Sequence, residues 1–233
     1  FVRSGTTWSE QQEIFANDPA SNDWFGYDVD IDGNYAIVGS HADDDGATNA
    51  GSAYIFKRSG TTWSQEDKIN AFNGGDADQD VKQNTNFGSW VAIDGDYAVA
   101  GRRNGYGTQD YDYTYVFKRD NTDWNGEAVF EPGNGDIDID GDKLALVCCS
   151  NQPVREIYTF KRTGTDWNQS AKVERTVNNI SISGDYVIGG DGSSANQSVY
   201  VWSNTYPTIT SVALADDNST IAVTLSEAVY STS

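Results

Sequence analysis

Carboxylates are the most plentiful chemistry-bearing side chains in this chain. Asp and Glu number 35 against 15 Lys and Arg, a formal charge of −20 over 233 residues. Three acids run together in Asp43-Asp44-Asp45-Gly46, with Asp18 and Asp23 in the segment before them, and Asp76, Asp78 and Asp80 form a second acidic stretch. Clustered oxygens are what calcium needs, about six to eight of them at short range, although solvated turn residues give the same spacing with no metal. Calcium is the one cofactor that the residues suggest. Arg102, Arg103, Tyr106, Tyr111 and Tyr113 crowd a third segment. Arg and Tyr are the types that anchor interfaces, so contact with a protein or a glycan is expected there. Trp24 and Trp90 stand out of register with the other tryptophans, which leaves them free to meet a partner.

The inventory for catalysis is poor. His41 is the single histidine, no Gly-x-Ser-x-Gly elbow is present, and no His cluster offers zinc ligands. The chain therefore reads as a non-enzyme; a polysaccharide lyase or glycosidase is the weaker alternative, since nothing selects an acid pair. Nucleic acid is excluded as a partner, because so acidic a surface cannot neutralise phosphates. No apolar run reaches the roughly eighteen residues of a membrane helix, so insertion by this segment is not expected. Cys148 and Cys149 are adjacent; an oxidising compartment would favour a vicinal disulfide or a cross-link to another chain, and two thiols at a strand end are the alternative. Four Asn-x-Ser/Thr triplets begin at Asn168, Asn179, Asn196 and Asn218. Asn196, in a loop, and Asn218, in a turn, are the glycosylation sites to expect in a eukaryotic host.

A repeat must position these residues. The turns Ile31-Asp32-Gly33-Asn34, Ile93-Asp94-Gly95-Asp96, Ile139-Asp140-Gly141-Asp142 and Ile182-Ser183-Gly184-Asp185 are each followed by a Tyr-x-Phe/Trp segment, at Tyr54, Tyr115, Tyr158 and Tyr200. Trp63, Trp124 and Trp167 follow the first three of those segments, and Trp8 is an extra copy at the start. β-branched and aromatic runs with two-residue alternation, bounded by Gly, Asn and Asp, predict four short strands A to D per unit. In the first unit these are 26–32, 35–39, 52–57 and 62–69. Asp-Gly predicts the A–B hairpin with positive φ at both turn residues. Units of this size must bury their apolar faces against one another. The expected fold class is all-β, with β-propeller blades of four antiparallel strands. A meander alternates direction, so the variable D–A connections and the B–C loops share one rim, where binding is expected.

The units are expected at about 1–58, 59–119, 120–162 and 163–204. Trp8 belongs to a D strand without its own A and B strands, and the fourth unit lacks a Trp-bearing D strand. Either that strand closes the fourth blade or further blades precede residue 1; the likeness of 1–8 to 56–63 favours the second reading. From 205 to 233 two alternating strands around Asp216-Asp217-Asn218 predict the start of a β-sandwich domain.

Phe25-Gly26 and Phe87-Gly88 opening strand A, with Ala36-Ile37-Val38-Gly39 and Ala98-Val99-Ala100-Gly101 in strand B, resemble FG-GAP repeats, the blades of integrin α-subunits and of secreted microbial and algal proteins. The third and fourth units lack Phe-Gly. The resemblance implies a seven-bladed propeller, four of whose blades are covered, used for adhesion or assembly. Ser226-Glu227-Ala228-Val229 resembles bacterial-type immunoglobulin-like repeats. Integrin-type blades hold calcium in Asp-x-Asp-x-Asp-Gly-x-x-Asp, and Asp28, Asp30 and Asp32 with Gly33, or Asp136, Asp138 and Asp140 with Gly141, match its first six positions; Ala36 and Leu144 stand where the last ligand should be. Strand alternation alone also explains those Asp. The combined expectation is an extracellular, cell-surface structural or adhesive module that assembles with other protein subunits through its loops, homo-polymers included. A calcium-dependent glycan-binding propeller using Trp24, the Asp43–Asp45 loop and the Tyr106–Tyr113 loop is the competing reading.

Overall fold

The computed structural model describes residues 1–71, 84–102, 113–131, 133, 135–148, 155–175, 177–191 and 198–203, and the strand backbones 209–214 and 221–225. After a small hairpin, β1 (Val2–Ser4) and β2 (Thr7–Ser9), the first blade runs β3 (Phe25–Asp32), β4 (Tyr35–Ser40), β5 (Ser52–Ser59) and β6 (Thr62–Ile69). The second is β7 (Phe87–Asp94), β8 (Tyr97–Arg102), β9 (Thr114–Asp120) and β10 (Asp123–Phe130). The third is β11 (Ile137–Asp140), β12 (Lys143–Cys148), β13 (Glu156–Thr163) and β14 (Asp166–Glu174). The fourth has three described strands, β15 (Asn179–Ser183), β16 (Tyr186–Asp191) and β17 (Ser198–Ser203), and β18 (Ile209–Leu214) pairs only with β19 (Ile221–Leu225). Every pairing is antiparallel between consecutive strands, and no helix occurs among the described residues. The first strands β3, β7, β11 and β15 pack on one another in turn. This is the propeller arrangement, with A strands innermost.

The turns differ from expectation in one respect. Asp32 pairs with Tyr35, so the central residues are Gly33 and Asn34, and only Gly33 has positive φ, 54°. Gly95, Gly141 and Gly184 repeat this at 56°, 60° and 56°. Glycine first and an ordinary second residue is the type II′ pattern, whose twist suits a hairpin. The C–D turns follow it too, with Asn121 at 60° where the other blades have glycine.

Burial comes from stacking. The B and C strands of one blade turn Ile37, Ala53 and Ile55 onto Val91, Ile93 and Trp124 of the next, forming one cluster. Val99 and Val116 repeat this against Ile137 and Ile139, and Ala145 and Ile157 against Ile180 and Ile182. Tyr35 meets Trp124 edge-on at 5.9 Å, and Tyr97 meets Trp167 at 5.8 Å. Phe87-Gly88 is the closest approach: a Cβ on Gly88 would strike the Ser52 carbonyl, and one on Gly39 would strike the Gly88 carbonyl, so side chains are excluded from both. Trp8, expected in a blade core with its counterparts, is 63% exposed, because β1–β2 has no A and B strands beside it.

Candidate functional site

Alternation along β3 puts Asp28, Asp30 and Asp32 on one face. Their Oδ2 atoms accept backbone N–H bonds from the next blade, Val91 at 2.8 Å, Ile93 at 2.7 Å and Gly95 at 2.9 Å. The Oδ1 atoms of Asp28 and Asp30 accept Val29 and Ile31 N–H at 3.0 and 2.8 Å. Blade three repeats the ladder: Asp136 and Asp138 accept Ile180 and Ile182 N–H, both at 2.7 Å, and Asp140 accepts Gly184 N–H. Ser181 Oγ donates a further bond to Asp138 at 2.7 Å. Blade two, with Trp90 and Ala92 at the first two positions, keeps only Asp94 accepting from Gly141 at 2.8 Å. These carboxylates staple one blade to the next through amide donors.

Burial pushes Asp28 and Asp138 above the usual carboxylate range and Asp136 up to about 6, with the charge of Asp28 adding to the last; the Ile180 amide opposes the shift. A site for calcium in the A–B turns would need these oxygens free to converge. They are directed at amides of another blade, and Ala36 and Leu144 supply no closing ligand, so the residues as arranged do not fit calcium there.

The Asp43–Asp45 loop is organised around a lysine. Lys68, on β6, sends its ammonium to Asp18 at 2.7 Å, Asp43 at 2.9 Å and Asp45 at 2.6 Å. Tyr54 donates its hydroxyl to Asp43 at 2.7 Å, and the ammonium lies 5.0 Å from the Tyr54 ring centroid. Burial alone would lower the Lys68 pKa, but its bonds to Asp18, Asp45, Tyr54 and Asp43 outweigh that and raise it. Asp44 instead accepts Asn49 N–H at 2.7 Å. Asp23 lies outside the cluster: it is buried, its side chain accepts Ala20 N–H at 3.1 Å, and its carbonyl accepts Ser40 Oγ at 2.8 Å. The place where calcium would sit holds a built-in cation. Among the described residues no group of three His, Cys, Asp or Glu side chains converges to hold a metal.

That network pins the D–A and B–C loops of the first blade together on one rim. The rim continues into the second blade, where Asn84 and Asn86 N–H reach the Thr48 and Asn49 carbonyls at 2.8 and 3.0 Å. Trp24 stands on it, 63% exposed, with φ of 59°. Its ring is 5.8 Å from His41, which packs 4.0 Å from Tyr27. Asn86 occupies the equivalent position before Phe87 and has φ of 49°. Left-handed backbone suits Asn and costs a Trp roughly 1–2 kcal/mol, so the exposed indole is held at a cost.

Other expectations resolve differently. Arg102 is 5% exposed, 5.3 Å from the Tyr113 ring and bonded to Tyr115 Oη at 3.4 Å. It is packed into the blade and does not face a partner, a correction that follows from its place at the last, inward position of β8. Trp90 is half-buried against the third blade's cluster. Cys148 is fully buried at the end of β12. Arg103, Tyr106, Tyr111, Cys149, Asn196 and Asn218, with Asp76, Asp78 and Asp80, lie outside the described residues.

Residues 8–56 match the family model of the FG-GAP repeat. The match starts in the D strand β2 and ends in the C strand β5, so one sequence repeat is offset from one blade. No curated protein matches the chain.

Proposed function

We propose that the chain is a non-enzymatic module of an extracellular or cell-surface protein that joins protein subunits through its D–A/B–C rim. Exposure of Trp24 in a backbone conformation unfavourable to it is the observation that carries this reading, since strain without a packing return points to a role in recognition. The Lys68 network supports it by presenting the indole on a rim fixed before any partner arrives. An FG-GAP match agrees with a surface protein-interaction module. A photo-crosslinking residue in place of Trp24, in the full protein on its native surface, tests the proposal. Crosslinks to a protein subunit are expected; labelling of solvent alone, with no polypeptide captured, overturns it.

An exposed indole face also stacks on sugar rings, which keeps the lectin reading in play. A glycan array separates the two, and sugar binding at Trp24 would be calcium-independent because Lys68 occupies the acidic cluster.

A further inference from the structure

The two ends of the blade array carry the unmated halves of the interface that joins its interior blades. On the leading side of blade one, Val29 and Ile31 are both 62% exposed, whereas Val91 and Ile93, their counterparts in blade two, are 4% and 3% exposed under blade one. On the trailing side of blade four, Ile188, Val199 and Val201 are 45%, 67% and 64% exposed. Their counterparts in blade one, Ile37, Ala53 and Ile55, are all fully buried against blade two.

The finer contacts match as well. Gly39 and Gly88 touch so closely that neither admits a Cβ, while their counterparts Gly190 on blade four and Gly26 on blade one each face open space. Arg119 covers the Tyr35 ring of the preceding blade at 4.6 Å, and Arg162 covers Tyr97 at 4.5 Å. Arg58 on blade one has no preceding tyrosine among the described residues, and Tyr186 on blade four is 62% exposed. The Gly95, Gly141 and Gly184 amides each donate to the turn Asp of the blade before. Gly33 is the corresponding donor on blade one, and Ser183 offers the oxygen on blade four.

We infer that a second copy of this chain docks head to tail, its blade-four face of Ile188, Val199 and Val201 covering Val29 and Ile31. The surface continues an interface already made three times within the chain, which is why a second copy is the occupant chosen. Half of the docking blade is present already: Ile14 and Ala16, following β2, cover Phe25, Val38 and Tyr54 as a D strand would. The incoming β15–β17 supplies strands A to C beside β2, and the three exposed residues of β1 give way. A heterologous contact of this kind builds a ring if its rotation closes and a filament if it does not.

Light scattering and sedimentation of the chain across a concentration series test this, with Val29→Lys and Val201→Lys, both at exposed positions that leave the fold intact by thermal melt. Wild type is expected to self-associate. Each variant alone is expected to lose association by roughly a hundredfold or more, as a buried ammonium requires. Their equimolar mixture is expected to form a dimer and nothing larger, because one intact head then meets one intact tail. Removing residues 1–4 leaves association equal or stronger. A monomeric wild type, variants that still associate alone, a monomeric mixture, or weakening on removal of residues 1–4 each overturns the inference; the first would leave these faces to other blades of a longer polypeptide. This inference goes beyond the rim reading, and Trp24→Asn leaves self-association unchanged, so the two fail separately.

Discussion

Replacing Lys68 by Gln tests whether the acidic loop is built around a protein cation. The three carboxylates on that ammonium are unequally buried: side-chain exposure is 3% for Asp43, 42% for Asp18 and 71% for Asp45. The two exposed pairs lie in the range of about 0–1 kcal/mol each, where solvent screens most of the attraction. Asp43 decides the outcome. Stripping the partner from a buried charge costs about 3–5 kcal/mol, reduced here because the Tyr54 hydroxyl and Asp45 N–H still donate to it. A net loss of about 2–3 kcal/mol is expected, roughly 4–12 °C in Tm for a chain of this size. The variant also leaves Asp18, Asp43 and Asp45 around an empty centre. If calcium enters with Kd of roughly 10⁻⁴ M, 1 mM of it (about ten times Kd) returns about 1.4 kcal/mol. Differential scanning calorimetry with and without calcium reads both effects. The reasoning is refuted if Lys68→Gln costs less than about 0.5 kcal/mol, or if wild type is stabilised by calcium and Asp43→Asn abolishes that gain.

Three further outcomes follow from the geometry. Trp24→Asn places at this position the residue that Asn86 supplies in blade two, and chemical denaturation should show a gain of about 1 kcal/mol; a loss would make Trp24 a packing residue and remove the basis of the rim proposal. Asp30→Ala leaves the Ile93 N–H without its acceptor in a buried interface and should cost about 1–3 kcal/mol in urea titration, with Asp30→Asn costing less because an amide oxygen still accepts; equal losses would contradict the staple. For Asp136 the folded carboxyl titrates at about 6, above its ordinary value of 3.8, so between those pH values the folded state binds more protons than the unfolded one. Its contribution is therefore most favourable at low pH and is lost as pH rises through about 6. Melts of wild type against Asp136→Asn should show wild type gaining relative to the variant from pH 7 to pH 5, and a relative loss would reverse the assignment.

Blade strands were legible in the sequence because their signals are local: two-residue alternation, a glycine at each turn and a tyrosine in each C strand. The work of the Asp ladder was not legible. Asp28 and Val91 are 63 residues apart, and a backbone amide leaves no trace in residue type. The same three carboxylates therefore read as a metal loop or as bare alternation. Lys68 was overlooked inside Glu66-Asp67-Lys68, 23 and 50 residues from Asp45 and Asp18. A signal did exist. Tyr54 pairs across the sheet with Lys68, and Tyr158 pairs in the same register with Lys172, which binds Glu156 at 2.6 Å. A Tyr–Lys pair recurring at equivalent positions, each time beside an acid, marks an internal ion pair more specifically than a run of Asp marks a metal.

The ladder also accounts for the blades that depart from the Asp-x-Asp-x-Asp pattern. Asp136 and Asp138 of blade three are pushed up in part by the charges of Asp28 and Asp30 of blade one, so the two ladders already repel one another around the axis. Blade two lies between them, and full ladders there and in blade four would add further buried negative charge to the same region, each repulsion strengthened by low local polarity. Trp90 and Ala92 in blade two, and Asn179, Ser181 and Ser183 in blade four, remove that charge. Blade two keeps the outermost staple, Asp94 to Gly141, at the exposed turn where solvent screens it. Alternation of charged and neutral A strands thus holds successive blades through carboxylate–amide bonds while limiting the electrostatic cost at the centre. Introducing Asp at both Trp90 and Ala92 would complete a match to the metal-loop pattern yet is expected to destabilise the array, because the added carboxylates would face their like on both sides.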